Sequence, residues 1–202
     1  MAMPTERRPP APPYVGEGPP ALWHASEDPT IEVFAPHVPA TNPDAPPAVW
    51  AIDTRHLPLF WFPRDCPRGC IWLSGRESPE DRDRFFGHTD ATRIHVIESA
   101  WLDAVRSATL YLYRLPESTF EPHSVGGYWV SSSTLEPLER VELRDLLGLH
   151  ASAGIELRMT PSIWPWWRRV ADSTLDFSGS RLTNAGDHPQ RHFPGGQVRA
   201  DR

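Results

Sequence analysis

One histidine near the start of the sequence has the surroundings of a ligand-binding residue. His24 ends an apolar run and lies just before Ser26, Glu27 and Asp28, so we expect it at the end of a strand. A neutral imidazole at such a position can donate a hydrogen bond to a sugar or phosphate oxygen. The alternative is a histidine at the edge of the core that bonds a neighbouring carbonyl group.

The densest aromatic cluster of the sequence lies beside an arginine. Trp50 and residues 60–62 supply the rings, and Arg64 follows them after one proline. A guanidinium group binds phosphate or carboxylate through its planar fork, and aromatic rings next to it can stack a nucleobase or nicotinamide. The alternative is a buried aromatic ridge, with Arg64 and Asp65 paired at the surface.

Metal and thiol chemistry have little support in the sequence. Cys66 and Cys70 lack a second Cys/His pair at ligand spacing, so we expect two free thiols and no metal site. A metal-dependent hydrolase that uses His24, His56 or His95 is a third alternative, and it requires a further ligand from elsewhere in the chain.

The composition argues against several classes of function. All 20 basic residues are arginine, which excludes a lysine Schiff base and a phosphate-loop lysine. The formal net charge of −6 makes a nucleic-acid partner unexpected. Trp164, Trp166 and Trp167 precede two arginines and could stack a single-stranded nucleic acid. We interpret them instead as the buried face of a helix whose arginines are solvated.

The ends and the length of the chain predict one folded domain. Both ends are rich in proline or glycine and poor in large apolar residues, so we predict disordered tails at residues 1–20 and 186–202. Residues 21–185 then have the length of one ordinary domain. No segment has the ~20 apolar residues of a membrane span, and no signal peptide is recognisable, so we expect a cytoplasmic protein without a membrane partner.

Periodicity and turn residues assign the candidate residues to elements. Predicted strands are 21–26, 48–53, 69–73, 93–98, 109–115, 127–133 and 135–143. Predicted helices are 54–63, 78–87, 99–107 (with Glu98 as an acid at its start), 142–154 and one that begins near Pro165. Strands separated by short helices, followed by several strands in succession, predict an α+β domain. We expect a split, mostly antiparallel mixed sheet with a few flanking helices.

Six strings of the sequence carry a resemblance to a known family: LWHASEDP, VWAID, LFWFPRDCPR, GYWVS, TPSIWPWW and STLDFSGSRLTNA. Together they resemble a bacterial family of uncharacterised single-domain proteins over nearly all of residues 22–185. The resemblance implies relatives of the chain but no activity, because that family has none assigned.

The order of elements is also similar to the ADP-ribosyltransferase superfold. The shared features are a leucine–aromatic–His run in the first strand, an aromatic residue in the second strand, a helix after it, and closing strands. In the His–Tyr–Glu branch of that superfold, the resemblance implies that His24 holds the ribose of NAD. It also implies that Trp50 or Trp61 stacks on the nicotinamide.

The same resemblance implies a late glutamate that orients the acceptor. At the start of the late strand, residues 127–129 are Gly-Tyr-Trp instead, and the nearest acids are Glu121 and Glu136. We assign Glu136 as the substitute acid, with Ser26 in the NAD site and Arg64 on the pyrophosphate.

The leading hypothesis from the sequence is an ADP-ribosyltransferase-like protein. Such a glycosyltransferase takes NAD, or a related nucleotide, as its substrate and passes the ADP-ribosyl group to an acceptor that the sequence does not identify. The alternative is a non-catalytic protein that binds a ligand or a partner. The missing late glutamate and the many prolines and tryptophans favour that alternative.

Overall fold

The computed structural model of the protein describes residues 21–38, 43–123, 127–186 and 198–199. The strands are β1 (Leu22–Ser26), β2 (Val49–Asp53), β3 (Arg68–Trp72), β4 (Arg93–Glu98), β5 (Leu110–Leu115), β6 (Glu121–Pro122), β7 (Tyr128–Ser131), β8 (Glu139–Leu143), β9 (Glu156–Thr160), β10 (Asp176–Ser180) and β11 (Val198–Arg199). The α-helices in these ranges are α1 (Pro79–Phe86), α2 (Leu102–Ser107), α3 (Leu146–Ser152) and α4 (Trp164–Ala171).

The strands form two sheets. The first sheet has the order β6-β7-β2-β1-β5-β8, and all of its pairs are antiparallel. The second has the order β11-β10-β3-β4-β9, in which β4 and β9 are the parallel pair. This arrangement confirms the predicted α+β domain. The disorder predicted for residues 1–20, and for most of 186–202, lies outside the described residues.

Residue alternation along β1 separates two faces of the first sheet. Trp23 faces the core between the two sheets and is 1% exposed. Leu22 points the other way, into a second apolar cluster with Phe34, Tyr113 and Leu135. Because successive side chains of a strand point to opposite faces, each residue of β1 belongs to one of these two environments.

Helices cover the outer face of the second sheet. Ser78 caps α1 by accepting a hydrogen bond from the Asp81 amide at 3.1 Å, and Pro79 begins the helix as the sequence predicts. Trp164, Trp167 and the other buried residues of α4 pack on the same face. Arg168 and Arg169 are exposed, which confirms the interpretation of this segment as an amphipathic helix. None of the described helices is long and apolar enough to cross a bilayer.

Several predicted elements are shorter than expected, and four strands, β6, β9, β10 and β11, were not predicted. Residues 54–63 contain a single 3₁₀ turn at Leu57–Phe60 rather than a longer helix, because the prolines at 58 and 63 leave little room. The helix predicted at 142–154 begins only at Leu146, after an Asp145 cap, since the preceding residues extend β8. β9 alternates polar and apolar residues over only five positions, β10 contains a glycine, and β6 and β11 have two residues each, so none of the four has a strong strand signal in the sequence.

A pair of glycines lets α4 approach the second sheet. Gly69 in β3 lies opposite Gly179 in β10. A methyl group on Gly69 would be 2.3 Å from the Trp166 ring, and one on Gly179 would be 2.4 Å from the Trp167 ring. The two tryptophans therefore occupy the space that side chains would take at these positions.

The substitution Gly69→Ala should destabilise the protein by overpacking this contact. We expect the free energy of unfolding in urea to fall by about 1–3 kcal/mol. Gly186→Ala is the matched control, because a methyl group there would meet only a Glu98 oxygen at 3.7 Å. Equal urea midpoints for the two variants would contradict the tight packing.

Candidate functional site

His24 lies on β1 as the sequence predicts, with its ring held by the main chain. Its Nδ1 is 3.1 Å from the Trp50 carbonyl oxygen, so Nδ1 carries the proton and donates it. Burial lowers the pKa of His24, and the nearby positive charge of Arg64 lowers it further. The imidazole is therefore neutral, and Nε2 has no partner among the described residues. Nε2 can only accept a hydrogen bond, which corrects the donor role expected from the sequence.

An aromatic residue and an acidic segment lie on the same face of the sheet as His24. The Phe34 ring is 4.9 Å from the His24 ring, centroid to centroid. Phe34 exchanges two main-chain hydrogen bonds with Leu135, at 2.8 and 3.0 Å. Glu136 follows Leu135 and is exposed. The segment that carries Glu136 is thus paired with Phe34, whose ring packs against His24.

Arg64 is exposed at the end of β1 nearest to His24. Its main-chain amide donates to Glu27 Oε1 at 3.2 Å, which fixes the loop after the aromatic cluster beside the first strand. The Ser26 hydroxyl accepts a hydrogen bond from the Asp28 amide at 3.1 Å, so it stabilises the turn that follows β1. Of the two residues, Arg64 is the one whose side chain extends from the surface.

Trp50 lies on β2, the strand next to β1, but its side chain points to the face of the sheet opposite His24. The register Trp23↔Ile52 and the alternation of β2 place the Trp50 ring on the face of Ile52, opposite to His24. Its ring contacts Tyr128 at 5.9 Å and His123 at 4.9 Å. Its indole Nε1 is buried without a hydrogen-bond partner in the described part of the chain.

Trp61 is part of the core between the sheets. It is 1% exposed, and its ring packs edge-on against His150 at 5.7 Å. This placement matches the alternative reading of the aromatic cluster as a buried ridge. The structure therefore groups His24, Arg64 and the Glu136 segment, and separates Trp50 and Trp61 from them.

Sequence reasoning missed a carboxylate–imidazole pair after β2. Asp53 Oδ1 and Oδ2 are 2.8 and 3.0 Å from His56 Nδ1, and Oδ1 also accepts from the His56 amide at 2.9 Å. The signal in the sequence is an Asp-x-x-His spacing directly after a strand. Such a spacing becomes informative only once a turn returns the histidine to the carboxylate.

A second, fully buried pair of histidines joins β4 to α3. His95 Nδ1 is 3.0 Å from His150 Nε2, and His150 Nδ1 donates to the Leu146 carbonyl at 2.7 Å. The bonds therefore run from His95 to His150 to Leu146. Burial lowers the pKa of His150 to about 4 and the pKa of His95 well below its usual value, so both rings are neutral.

The remaining candidates have structural surroundings. Glu98 is buried and accepts hydrogen bonds from the Ile163 amide at 3.1 Å and the Gly186 amide at 2.9 Å. It therefore binds the start of α4 rather than the start of the helix after β4. Cys66 and Cys70 are buried free thiols, as predicted, and burial raises the pKa of each to about 12. Within the described ranges, no three His, Cys, Asp or Glu side chains are grouped to hold a metal.

The fold and these residues define a two-sheet α+β domain with oriented, half-buried histidines on its first sheet. The chain belongs to a family of unknown function (DUF6886), whose model matches residues 23–185. This match agrees with the resemblance to an uncharacterised family and spans nearly the whole predicted domain. No curated protein and no solved structure matched the chain.

The buried histidine pair makes stability depend on pH. The pKa of His150 is about 4 in the folded protein and 6.5 in the unfolded chain, so the unfolded chain binds more protons between these values. The contribution of neutral His150 to the free energy of unfolding is present above pH 6.5 and is lost as the pH falls toward 4. We expect His150 alone to lower the free energy of unfolding by about 2 kcal/mol between pH 7 and pH 5.

Urea unfolding at several pH values measures this loss. Replacement of both partners, in the double variant H95L/H150L, should flatten the curve between pH 7 and pH 5, because no uncharged buried imidazole pair remains to protonate. His88→Ala changes an exposed histidine and serves as the control. A double variant with the slope of the unmodified protein would rule out this source of pH dependence.

Proposed function

We propose that the protein binds NAD, or a closely related nucleotide, against the outer face of β1 and transfers the ADP-ribosyl group to an acceptor. The observation that carries the proposal is the state of His24. Its ring is neutral, its tautomer is set by the Trp50 carbonyl, and its open Nε2 accepts a hydrogen bond. A ribose hydroxyl is a donor that suits this nitrogen.

The order of strands supports a site with contributions from distant parts of the chain. β7, β2 and β1 are consecutive neighbours in the first sheet. Residues of the first, second and late strands can therefore act on one ligand, as the ADP-ribosyltransferase resemblance requires. Neighbouring strands are only about 4.8 Å apart, so a dinucleotide can span all three.

Charge and aromatic surface near His24 also suit a nucleotide. Arg64 is exposed and close enough for its charge to lower the pKa of His24, so its guanidinium can pair with a pyrophosphate. Phe34 lies on the face of His24, whereas Trp50 does not. Phe34 is 8% exposed and its ring packs against His24 and Tyr113, so in this proposal it forms a wall of the site rather than a stacking surface.

Glu136 is the acid assigned to the transfer step. In that step the bond between ribose C1′ and the nicotinamide nitrogen breaks, and the electron pair leaves with nicotinamide. The acceptor oxygen or nitrogen forms the new bond to C1′, and the Glu136 carboxylate takes the acceptor's proton. Glu136 lies beside Leu135, which is bonded to the Phe34 segment over His24.

Calorimetry with NAD and with ADP-ribose tests the binding site. We expect both to bind the unmodified protein and to bind His24→Ala about tenfold more weakly, which is the value of one hydrogen bond to the ligand. His88→Ala, in which an exposed histidine far along the chain is removed, should bind as the unmodified protein does. Absence of heat with either ligand would eliminate the nucleotide site.

One observation favours the second candidate function, a non-catalytic ligand-binding protein. A side chain at position 127, just before β7, would have its Cβ 2.2 Å from His56 Nδ1. A glutamate at that position therefore cannot coexist with His56 in its present place. Either another position supplies the late acid that the resemblance implies, or the protein binds its ligand without catalysis.

Mass spectrometry separates the two functions. Incubation with isotopically labelled NAD and a cell lysate should leave an ADP-ribosyl mass on an acceptor, and Glu136→Gln should reduce that product at least tenfold because proton removal is lost. Glu121→Gln, which changes another exposed acid of the first sheet, should leave it unchanged. Nucleotide binding without any transferred mass would favour the non-catalytic protein.

A further inference from the structure

The Asp53–His56 pair has the geometry of an oriented proton acceptor. Both carboxylate oxygens of Asp53 lie within 3.0 Å of His56 Nδ1, so that nitrogen is the donor. The other ring nitrogen, Nε2, has no partner among the described residues and presents a lone pair. The side chains are 17% and 14% exposed, so the pair is half-enclosed and still reachable.

The main chain and an indole ring also hold this imidazole in place. Gly127 has φ +77° and passes directly against the His56 ring, and its carbonyl accepts from the Asp53 amide at 2.9 Å. The Trp72 ring meets His56 edge-on at 5.6 Å. A turn alone does not require a glycine and an indole around the ring, so this environment fixes the direction of Nε2.

An arginine without a counter-ion lies on the same indole. The Arg93 guanidinium carbon is 5.9 Å from the centre of the Trp72 ring. In the described part of the chain, Arg93 has no carboxylate within 4.0 Å and no hydrogen-bond acceptor. Burial lowers its pKa to about 10, and the charges of Arg55 and Asp53 also act on it, so it is still a cation at neutral pH.

A half-buried cation without a partner is an unfavourable arrangement that an anion would relieve. The His56 ring contacts the same indole and adds a second requirement, because an imidazole whose Nδ1 donates to a carboxylate presents Nε2 as an acceptor, and a hydroxyl group can donate to it. A ligand that meets both requirements carries a negative oxygen and a hydroxyl close together. Hydrogen phosphate is a small, common ion that has both.

We propose that Arg93 and His56 bind a phosphate group that retains one hydroxyl, with Asp53 as the positioning residue for His56. Arg93 pairs with a charged phosphate oxygen, and His56 Nε2 accepts the hydrogen bond from the P–OH group. This site uses none of the residues assigned to the nucleotide, so it stands or falls independently of the site at His24.

Imidazole NMR signals of ¹⁵N-histidine-labelled protein test the site with inorganic phosphate and sulfate at pH 8.5. At that pH phosphate has one hydroxyl and sulfate has none. We expect a saturable shift of the His56 signals with phosphate and at least fivefold weaker binding of sulfate, while the His24 signals stay unchanged. This comparison uses the unmodified chain, so it does not depend on a variant that folds.

Three variants assign the roles of the residues. Arg93→Gln should lose both anions, whereas the exposed Arg169→Gln should bind phosphate normally. His56→Gln, followed by calorimetry because the His56 signals are lost, should bind phosphate and sulfate with similar affinity. Asp53→Asn should shift the His56 ¹⁵N pattern away from the Nδ1–H tautomer, which a purely structural role of Asp53 would not do.

The comparison also has outcomes that would overturn the site. No saturable His56 shift with phosphate, or equal binding of sulfate by the unmodified protein, would reject it. A titration with AMP at pH 8.5 extends the comparison, because its phosphate has lost both protons at that pH and, like sulfate, has no P–OH group. We expect AMP to bind at least fivefold more weakly than inorganic phosphate, and a His56 shift with AMP at equal affinity would also reject the site.

Discussion

The burial of Trp23 between the two sheets decides where the other residues of the first sheet can point. Its indole is enclosed by the core, and its Nε1 donates to the Thr54 hydroxyl at 3.0 Å, just after β2. Because side chains alternate along a strand, this one burial directs His24 to the outer face. The same register points Trp50 toward the core. His24 and Trp50, which the sequence analysis assigned to one site, therefore lie on opposite faces of the sheet.

The elements with strong local signals were predictable from the sequence, and those that depend on pairing were not. α1 has its hydroxyl cap, first-turn proline and acids, and β5 has a clear alternation of apolar residues. β9 is an edge strand whose alternation spans only five residues, and β10 contains a glycine, so the sequence signal of each is weak and pairing with the neighbouring strands completes it. In the candidate site, the sequence predicted that His24 lies on the first strand. It could not predict which face of the sheet Trp50 occupies or how deeply Trp61 is buried, because these depend on strand register and on the packing of the two sheets.

The interior contains polar groups whose protonation states are set by burial rather than by opposite charges. Arg68 is 4% exposed and donates to the carbonyls of Leu59 and Cys66 at 2.8 and 3.0 Å. The rings of Phe60 and Phe62 lie 5.5 Å from its guanidinium carbon. Arg68 thereby connects the 3₁₀ turn to β3 without a carboxylate partner. The carbonyl oxygens and the aromatic rings offset the cost of burying its charge.

The two hydrogen bonds accepted by Glu98 link three distant parts of the chain. Ile163 has no side-chain cap of its own at the start of α4, so the carboxylate from the end of β4 takes that role. The same carboxylate holds the Gly186 amide, while the Trp164 indole donates to the Gly186 carbonyl at 3.1 Å. A chain shortened to end before Gly186 would thus free one oxygen of a buried acid and remove the acceptor of that indole bond. Residue 186 is accordingly the earliest point at which the domain can be trimmed or joined to another protein while these contacts stay intact.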